Sequence, residues 1–491
     1  MRCGRSSVVG LFRDPLSRAV VRVRTHVERN LIAAVFVGAV VGLVACTPDV
    51  SGTTLSANTR ERVCQLTGDT DWVTHMPTTS QTVSRFGFRG TDLGYPVEHA
   101  GRLALLFGDS RFNRPDVANA PPRDDTPENR RPDDAIGWVT TPTPPTASRC
   151  LAMTIEHEPN NSHVAVSPVV GPPFIKQGLF NVPSGGVSTG GSLYGFFWTD
   201  HCLYDDRRCA NIPTLNRIGR GVLARYHDAE MRFIDPVPLP RDFVYATAID
   251  ATALTGVPED QRLGVYIVAV PDYRHSIPYL AYAAPGQLAD PTGWKFFIGR
   301  TSDDQPSWTS YDVWIRRGQG AAPPGRPELF ETDSAGRCVG ELSVTWNQPL
   351  GVWLMLYNCG PPKDARIMAR VAAAPWGPWS RETLLLDPAI DTNACQLMWK
   401  VPGHGNGCDA RKDEWYGNDA GKINGGLYAP FVMERYSARV KTVGVYRKSA
   451  MVYWLLSTYN PYQVDVMRTV LTVESPPTRA SAVVKIPVAK P

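Results

Sequence analysis

The sequence lacks the excess of basic residues that proteins binding nucleic acids usually carry. Its 491 residues include 51 lysines and arginines and 47 aspartates and glutamates, which gives a formal net charge of +4. Beyond the first thirty residues, the basic side chains are scattered along the chain and form no cluster. A nucleic-acid partner is therefore not expected.

Sequence patterns that bind metal ions are also missing. No two cysteines have the C-x-x-C spacing of a zinc site, and no H-E-x-x-H pattern occurs. His404, Asp409 and Asp413 could be grouped as a metal cluster, but glycine-rich loops collect such residues without binding an ion. We predict no metal ion and no cofactor, and we expect His404 to line the wall of a substrate-binding cleft.

Only one segment is both long and strongly apolar. Residues 31–45 carry no charge and follow an arginine-rich stretch, but fifteen residues are too few to cross a bilayer, which takes about 20. This pattern predicts an export signal over residues 1–45 that is removed from the mature protein. The segment ends in Leu43 to Cys46 (LVAC), which resembles the bacterial lipobox and predicts that Cys46 carries a lipid at the outer face of the cell membrane. The alternative is an ordinary signal peptide with a chance cysteine.

Eight of the ten cysteines lie outside the leader and position 46. An even number of cysteines in an oxidising compartment predicts disulfide bonds, although eight cysteines allow about 105 pairings. Cysteines that are close along the chain are favoured as partners, which gives the pairs Cys202–Cys209, Cys395–Cys408 and Cys338–Cys359. Cys64 and Cys150 are left over and form the fourth predicted pair.

A strand pattern that occurs five times is the most informative feature of the sequence. Each copy has a short apolar strand, rich in β-branched and aromatic residues, that follows another strand-like segment. The five apolar strands begin at Gly101, Gly191, Arg262, Gly351 and Ala450. The segments before them are 86–94, 180–188, 243–250, 339–346 and 427–434. A third strand follows in most copies and a fourth is indicated in some, so the repeating unit is a meander.

A four-stranded meander repeated around an axis is the blade of a β-propeller, because radial closure leaves no long strand edge exposed. We therefore predict an all-β fold, a five-bladed β-propeller over residues 81–475, with a lipid-attached linker at 46–80 and a C-terminal tail at 476–491. The copies begin about 70 to 100 residues apart, so long loops are expected at 121–145 and 391–425. Two stacked β-sandwiches are the alternative, but they would not explain five similar hairpins.

Acidic residues on the first strands of the blades are the candidates for catalysis. These strands face the central channel of a propeller, so Asp92 and Glu341 are expected to converge there, with Asp109 at the end of the next strand. Such carboxylates can hydrolyse a glycosidic bond, since one protonates the leaving oxygen while another activates water or attacks the sugar. In the structural alternative, the aspartates only accept hydrogen bonds in turns, and Glu341 pairs with an arginine such as Arg89.

Residues near the blade ends are candidates for sugar binding. Aromatic rings stack on sugars and amides hydrogen-bond to them, although the same side chains suit packing equally well. The residues expected to contact substrate are Arg89, Trp198, His404, Tyr428, Asn460 and Gln463.

Residues 186–190 match the G-x-S-x-G motif of esterases. That motif places its serine on a turn between a strand and a helix, whereas another strand is predicted here. We therefore do not expect an esterase.

Several motifs together resemble the domain of unknown function 4185 (DUF4185) family. They are GTDLG at 90–94, LLFGD at 105–109, GELSVTW at 340–346, YAPF at 428–431 and STYNPYQV at 457–464. The resemblance implies a five-bladed propeller, and some members of that family are grouped as glycoside hydrolases that cut D-arabinan internally. It therefore implies an endo-D-arabinanase acting on cell-wall arabinogalactan or lipoarabinomannan, with Asp92, Asp109 and Glu341 as its catalytic acids. A non-catalytic lipoprotein that binds cell-wall glycan is the competing prediction.

Overall fold

The protein is built from five antiparallel sheets that form a five-bladed β-propeller. The computed structural model describes residues 53–112, 134–157, 182–199, 219–317, 327–331, 336–360, 365–399, 425–440 and 446–474. The all-β, five-bladed fold predicted from the five copies in the sequence is confirmed. The predicted signal peptide, Cys46 and the C-terminal tail lie outside the described residues.

Each sheet is one blade, and in the first four blades the strands follow chain order outward from the axis. Blade 1 contains β2 (Phe88–His99), β3 (Arg102–Phe112), β4 (Ala135–Val139) and β5 (Met153–Ile155). Blade 2 contains β6 (Val182–Thr189), β7 (Ser192–Thr199), β8 (Arg220–His227) and β9 (Arg232–Pro238). Blade 3 contains β10 (Tyr245–Asp250), β11 (Val265–Val270), β12 (Tyr279–Ala283), β13 (Lys295–Arg300) and β14 (Pro306–Ser310). Blade 4 contains β15 (Val339–Asn347), β16 (Val352–Cys359), β17 (Arg366–Ala372) and β18 (Thr383–Leu386).

Blade 5 takes its outer strand from the other end of the chain. It contains β19 (Gly426–Val432), β20 (Ala438–Val440), β21 (Arg447–Tyr459), β22 (Gln463–Glu474) and β1 (Thr54–Gln65). The strand β1 pairs antiparallel with β22, with Thr54 opposite Glu474 and Gln65 opposite Asp465. Because β1 lies inside segment 46–80, part of the predicted linker belongs to the propeller.

The inner strands of the blades form a closed ring. They contact one another in the order β2, β6, β10, β15, β19 and back to β2. Residues far apart in the sequence therefore meet on one axis, as the sequence-based argument for converging acids requires.

Helices are few and short. Among the described residues they are α1 (Thr82–Phe86), α2 (Tyr311–Arg317) and four 3-10 turns at Glu259–Gln261, Pro291–Gly293, Thr392–Gln396 and Glu434–Tyr436. None of the helices in these ranges is long and apolar enough to cross a membrane.

Strands in the middle of a blade are covered on both faces by the neighbouring blades. Every residue of β15 and β16 is buried, and the ring of Trp353 on β16 is fully enclosed. A strand covered on both faces reads as a continuous apolar run rather than as an alternating pattern. This packing explains why the second strand of each blade stands out in the sequence.

Two of the predicted disulfide bonds are confirmed. Cys64–Cys150 joins β1 to the segment before β5, and Cys338–Cys359 joins the residue before β15 to the last residue of β16. Cys395 is also in a disulfide bond. Its predicted partner Cys408 and the predicted Cys202–Cys209 pair lie outside the described residues.

Candidate active site on the propeller axis

Irregular strand pairing surrounds the candidate catalytic residues. On β2 the register shifts between Gly90 and Asp92, and again between Leu93 and Tyr95. Similar shifts occur on β15 between Val339 and Leu342, on β19 between Tyr428 and Phe431, and on β6 between Pro183 and Gly185. Such bulges re-aim side chains and are frequent beside active sites. Four of the five inner strands therefore leave regular pairing near the axis.

Asp92 is a buried carboxyl group that the hydroxyl of Tyr428 holds through one oxygen. Its residue is 7% exposed, and Oδ2 accepts a hydrogen bond of 2.8 Å from the hydroxyl of Tyr428. Burial raises the pKa of Asp92 well above its usual value, and the negative charges of Asp109 and Glu341 raise it further. The hydroxyls of Tyr428 and Tyr462 oppose this rise. The net effect favours the protonated form of Asp92.

Asp109 lies beside Asp92 on the neighbouring strand. Asp92 pairs with Gly108, the residue immediately before Asp109. Asp109 is half-buried and its φ angle is 46°, in the left-handed region that is uncommon for residues other than glycine. The Tyr462 hydroxyl donates a 3.1 Å hydrogen bond to the Asp109 backbone oxygen, which helps to hold this conformation. Strained backbone of this kind is often found at functional sites.

Glu341 forms a buried ion pair with Arg274. Glu341 is 1% exposed, and its Oε1 accepts hydrogen bonds from Arg274 Nη2, at 2.6 Å, and from the Tyr273 hydroxyl. Arg274 Nε lies 3.4 Å from Oε2. Burial alone would lower the pKa of Arg274, but the charge of Glu341 raises it, so Arg274 stays ionised. The partner of Glu341 is therefore Arg274 and not Arg89, which is exposed on β2.

Aromatic rings pack around this ion pair. Trp198, at the end of β7, lies 4.3 Å from Tyr273 and 6.0 Å from Tyr245, measured between ring centroids. Tyr245 and Tyr273 are 5.2 Å apart, and the Arg274 guanidinium lies 4.4 Å from the centroid of Tyr273. The structure thus brings Trp198 and Tyr428, two of the predicted substrate-binding residues, to the axial carboxylates.

Two other predicted binding residues lie in packed surroundings. Gln463 Nε2 donates a 3.1 Å hydrogen bond to Asp465, which also pairs with Arg62 at 2.9 Å where β1 meets β22. Asn460 is fully buried, and its backbone oxygen accepts a 2.9 Å hydrogen bond from the Trp399 N–H. These contacts give both side chains a structural setting, and their role in substrate binding stays a prediction.

The predicted cleft residue His404, with Asp409 and Asp413, lies outside the described residues. Among the residues that are described, no group of three or more histidine, cysteine, aspartate or glutamate side chains is arranged to hold a metal ion.

Residues 186–189 of the G-x-S-x-G segment lie on β6, and the turn at Gly190 and Gly191 connects them directly to β7. Ser188 Oγ and His99 Nδ1 lie 2.8 Å apart and share a hydrogen bond. A strand rather than a helix follows the serine, so the esterase elbow is not formed.

The sequence did not single out Tyr245, Tyr273 or Arg274. Tyr245 lies on the inner strand β10, and a tyrosine on a strand is too common to indicate a functional site. Tyr273 and Arg274 follow β11 in a turn, and Arg274 has a φ of 64°. Neither a motif nor a spacing connects this turn to Glu341.

Comparison with known families bears out the resemblance to DUF4185 in part of the chain. The model of that family, described as a domain of unknown function, matches residues 240–468. These residues include Glu341, Arg274 and Tyr245, whereas Asp92 and Asp109 lie before them. No curated protein matches the chain.

Several solved structures share a distant likeness with the chain. A thermostable family-43 glycoside hydrolase is 13% identical, covers 77% of this chain and 88% of its own, and has a TM-score of 0.28. A family 117 glycoside hydrolase of the marine bacterium Zobellia galactanivorans is 9% identical, covers 86% of this chain and 90% of its own, and has a TM-score of 0.31. An exo-1,5-alpha-L-arabinanase from a bovine ruminal metagenomic library is 7% identical, covers 78% of this chain and 94% of its own, and has a TM-score of 0.31. At these TM-scores, no residue role is transferred from them.

Proposed function

We propose that the protein is a glycoside hydrolase that cuts a polysaccharide at the propeller axis, with Asp92 as the general acid. The observation that carries this proposal is the position of Asp92, a buried carboxyl group on the strand next to Asp109 whose pKa is raised by burial and by the neighbouring negative charge. General acids in glycoside hydrolysis need a raised pKa of this kind, since an ionised carboxylate cannot protonate the leaving oxygen.

Asp109 is the partner of Asp92 in the proposed reaction. It is less buried than Asp92 and lies on the adjacent strand, so it is the better placed of the two to carry the negative charge. As the C–O bond breaks, the leaving oxygen keeps the electron pair and takes the proton of Asp92. As that bond breaks, the ionised Asp109 either accepts a proton from the water that attacks the anomeric carbon or attacks this carbon itself. In the second case a covalent glycosyl ester forms, and water hydrolyses it with the ionised Asp92 as the base. The separation of the two carboxyl groups indicates which route is followed.

Glu341 has a different role in this proposal. Arg274 and Tyr273 occupy its carboxylate, so it is a poor candidate for direct proton transfer. Its negative charge contributes to the raised pKa of Asp92, and its carboxylate holds Arg274 and Tyr273 in place beside the axis.

D-arabinan is the proposed substrate, cut internally within arabinogalactan or lipoarabinomannan. This part of the proposal rests on the resemblance to DUF4185. The lipid at Cys46 would hold the enzyme at the outer face of the cell membrane, next to that polymer. Changing Cys46 to serine should release the protein from the membrane fraction on cell fractionation, and a variant that stays in the membrane would remove the lipid from the proposal.

Oligosaccharide release from arabinogalactan tests the proposed reaction. The enzyme for this assay is residues 48–491, the compact unit that contains all five blades. Asp92→Asn should lower the rate at least about a hundredfold, because general acid catalysis contributes about 10² to 10⁴. The matched control is Glu434→Gln, because burial also raises the pKa of Glu434, to about 8, but Glu434 bonds to Asn347 away from the axial carboxylates. Equal activity in the two variants would refute Asp92 as the acid.

A glycan-binding protein without activity is the second candidate function. The ion pair of Glu341 favours it, since one of the three predicted catalytic acids is already occupied. The two functions differ in one result. If the wild-type protein and Asp92→Asn both bind arabinogalactan and neither releases oligosaccharides, where a known arabinanase does release them, the protein is a binder.

A further inference from the structure

Near the axis, three buried polar atoms form no hydrogen bond of ordinary geometry with any described residue. They are Asp92 Oδ1, the hydroxyl oxygen of Tyr245 and Asn358 Nδ2, from β2, β10 and β16. Leaving a buried polar atom unpaired costs about 1–3 kcal/mol, so native proteins rarely keep such atoms without a reason. Atoms from three different blades suit a ligand that carries several hydroxyl groups.

Tyr245 lies within reach of the charges of both Glu341 and Asp92. It is 1% exposed, and the charges of Glu341 and Asp92 reach its hydroxyl, where they add to burial in raising its pKa. The hydroxyl therefore keeps its proton and is available as a hydrogen-bond donor. Its ring is fixed by Trp198 and Tyr273, so its direction does not depend on a ligand.

Asn358 borders the same ion pair from the fourth blade. Its Oδ1 accepts a 3.2 Å hydrogen bond from the Ala429 N–H, which fixes the orientation of the amide. Its Nδ2 faces Gly340, where a methyl group would lie only 2.6 Å from Nδ2 and 2.9 Å from Arg274 Cγ. Glycine at position 340 is thus what allows this donor to lie beside Glu341.

We propose that Tyr245 is a substrate-contacting residue whose hydroxyl donates a hydrogen bond to the sugar ring that lies against Asp92. The inference rests on the function proposed above and adds a residue to it. Asp92 Oδ1 and Asn358 Nδ2 would bind further oxygens of the same saccharide. These contacts orient the ring so that its scissile oxygen meets the proton of Asp92, and all three atoms gain the partners they lack.

A pair of tyrosine substitutions tests this role. Tyr245→Phe removes a hydroxyl that bonds to no described residue, so the melting temperature should stay unchanged or rise. Binding of soluble arabinogalactan, measured by affinity electrophoresis, should weaken about ten- to hundredfold, the usual effect of losing a hydrogen bond to a substrate in a buried site. The control is Tyr266→Phe, at an equally buried tyrosine whose hydroxyl donates a 2.9 Å bond to the Gln261 backbone oxygen. This variant should lose melting temperature and keep its affinity.

Each outcome decides the inference. Weaker binding by Tyr245→Phe supports it even where the wild type releases no oligosaccharide, and in that case the hydrolase proposal fails while the contact stands. Unchanged binding by Tyr245→Phe overturns the inference even if the wild type is an active enzyme. A loss of melting temperature as large as in Tyr266→Phe also overturns it, since the hydroxyl would then have a structural partner. If the wild type does not bind arabinogalactan, both proposals fall.

Discussion

Arg274→Met should be one of the most destabilising single changes at the axis. The substitution keeps an apolar stem of similar length but removes the guanidinium that neutralises Glu341. Glu341 is 1% exposed, so water cannot replace the lost partner. Breaking a buried ion pair in this way costs about 3–5 kcal/mol of unfolding free energy. Urea unfolding followed by the fluorescence of the 13 tryptophans measures the loss.

Arg435→Met is the matched control for this prediction. The side chains of Arg274 and Arg435 are both 18% exposed, and each donates a 2.6 Å bond to a glutamate. The partner of Arg435 is Glu98, whose side chain is 50% exposed, so water can solvate it after the change and the loss should stay below about 1 kcal/mol.

A double variant completes the test. Arg274→Met combined with Glu341→Gln should be more stable than Arg274→Met alone, because no uncompensated charge is then left in the interior. The reasoning is refuted if Arg274→Met and Arg435→Met lose equal stability, or if adding Glu341→Gln destabilises the Arg274 variant further. Either result would mean that Glu341 is not a buried charge.

Two further predictions concern the disulfide bonds and the pH dependence of stability. Replacing both cysteines of Cys64–Cys150 with serine should cost about 4–5 kcal/mol of unfolding free energy, and replacing those of Cys338–Cys359 about 3 kcal/mol. The first loss is larger because that bond closes a separation of 86 residues and the second only one of 21. Equal melting temperatures in the two double variants would contradict this order. Folding raises the pKa of Asp92, so the contribution of this group to stability is present in acid and is lost as the pH rises. The stability of Asp92→Asn relative to wild type should therefore increase from acid to alkaline pH. A difference that stays constant with pH would argue against the raised pKa.

The blades could be predicted from the sequence because their middle strands are covered on both faces. The run at Gly351 to Tyr357 is apolar throughout for that reason, and four similar runs reveal the repeat. The strand β1 was missed because it lies at the outer edge of blade 5, where alternate residues are exposed and polar. Its pairing is decided by β22, which is about 400 residues later in the chain, and no local pattern carries that information.

The candidate site could be predicted only where a residue type is unusual in its position. A carboxylate in an apolar strand needs a partner or a function, so Asp92 and Glu341 were conspicuous. Arg274 lies in a turn, where arginine is common, and the packing of blade 3 against blade 4 brings it to Glu341, 67 residues later. Tyr245 has an ordinary residue type for a strand, and its unpaired hydroxyl becomes visible only in three dimensions.

Direct titration of the Asp92 carboxyl group tests the central claim. The protein can be labelled with ¹³C at the aspartate carboxyl carbons, and the Asp92 resonance can be assigned by its absence in Asp92→Asn. We predict that this resonance titrates well above the ordinary aspartate pKa of about 3.9, as burial and the neighbouring Asp109 require. Titration at or below that value would contradict the account, because Asp92 would then be ionised at neutral pH and could not donate a proton to the leaving oxygen.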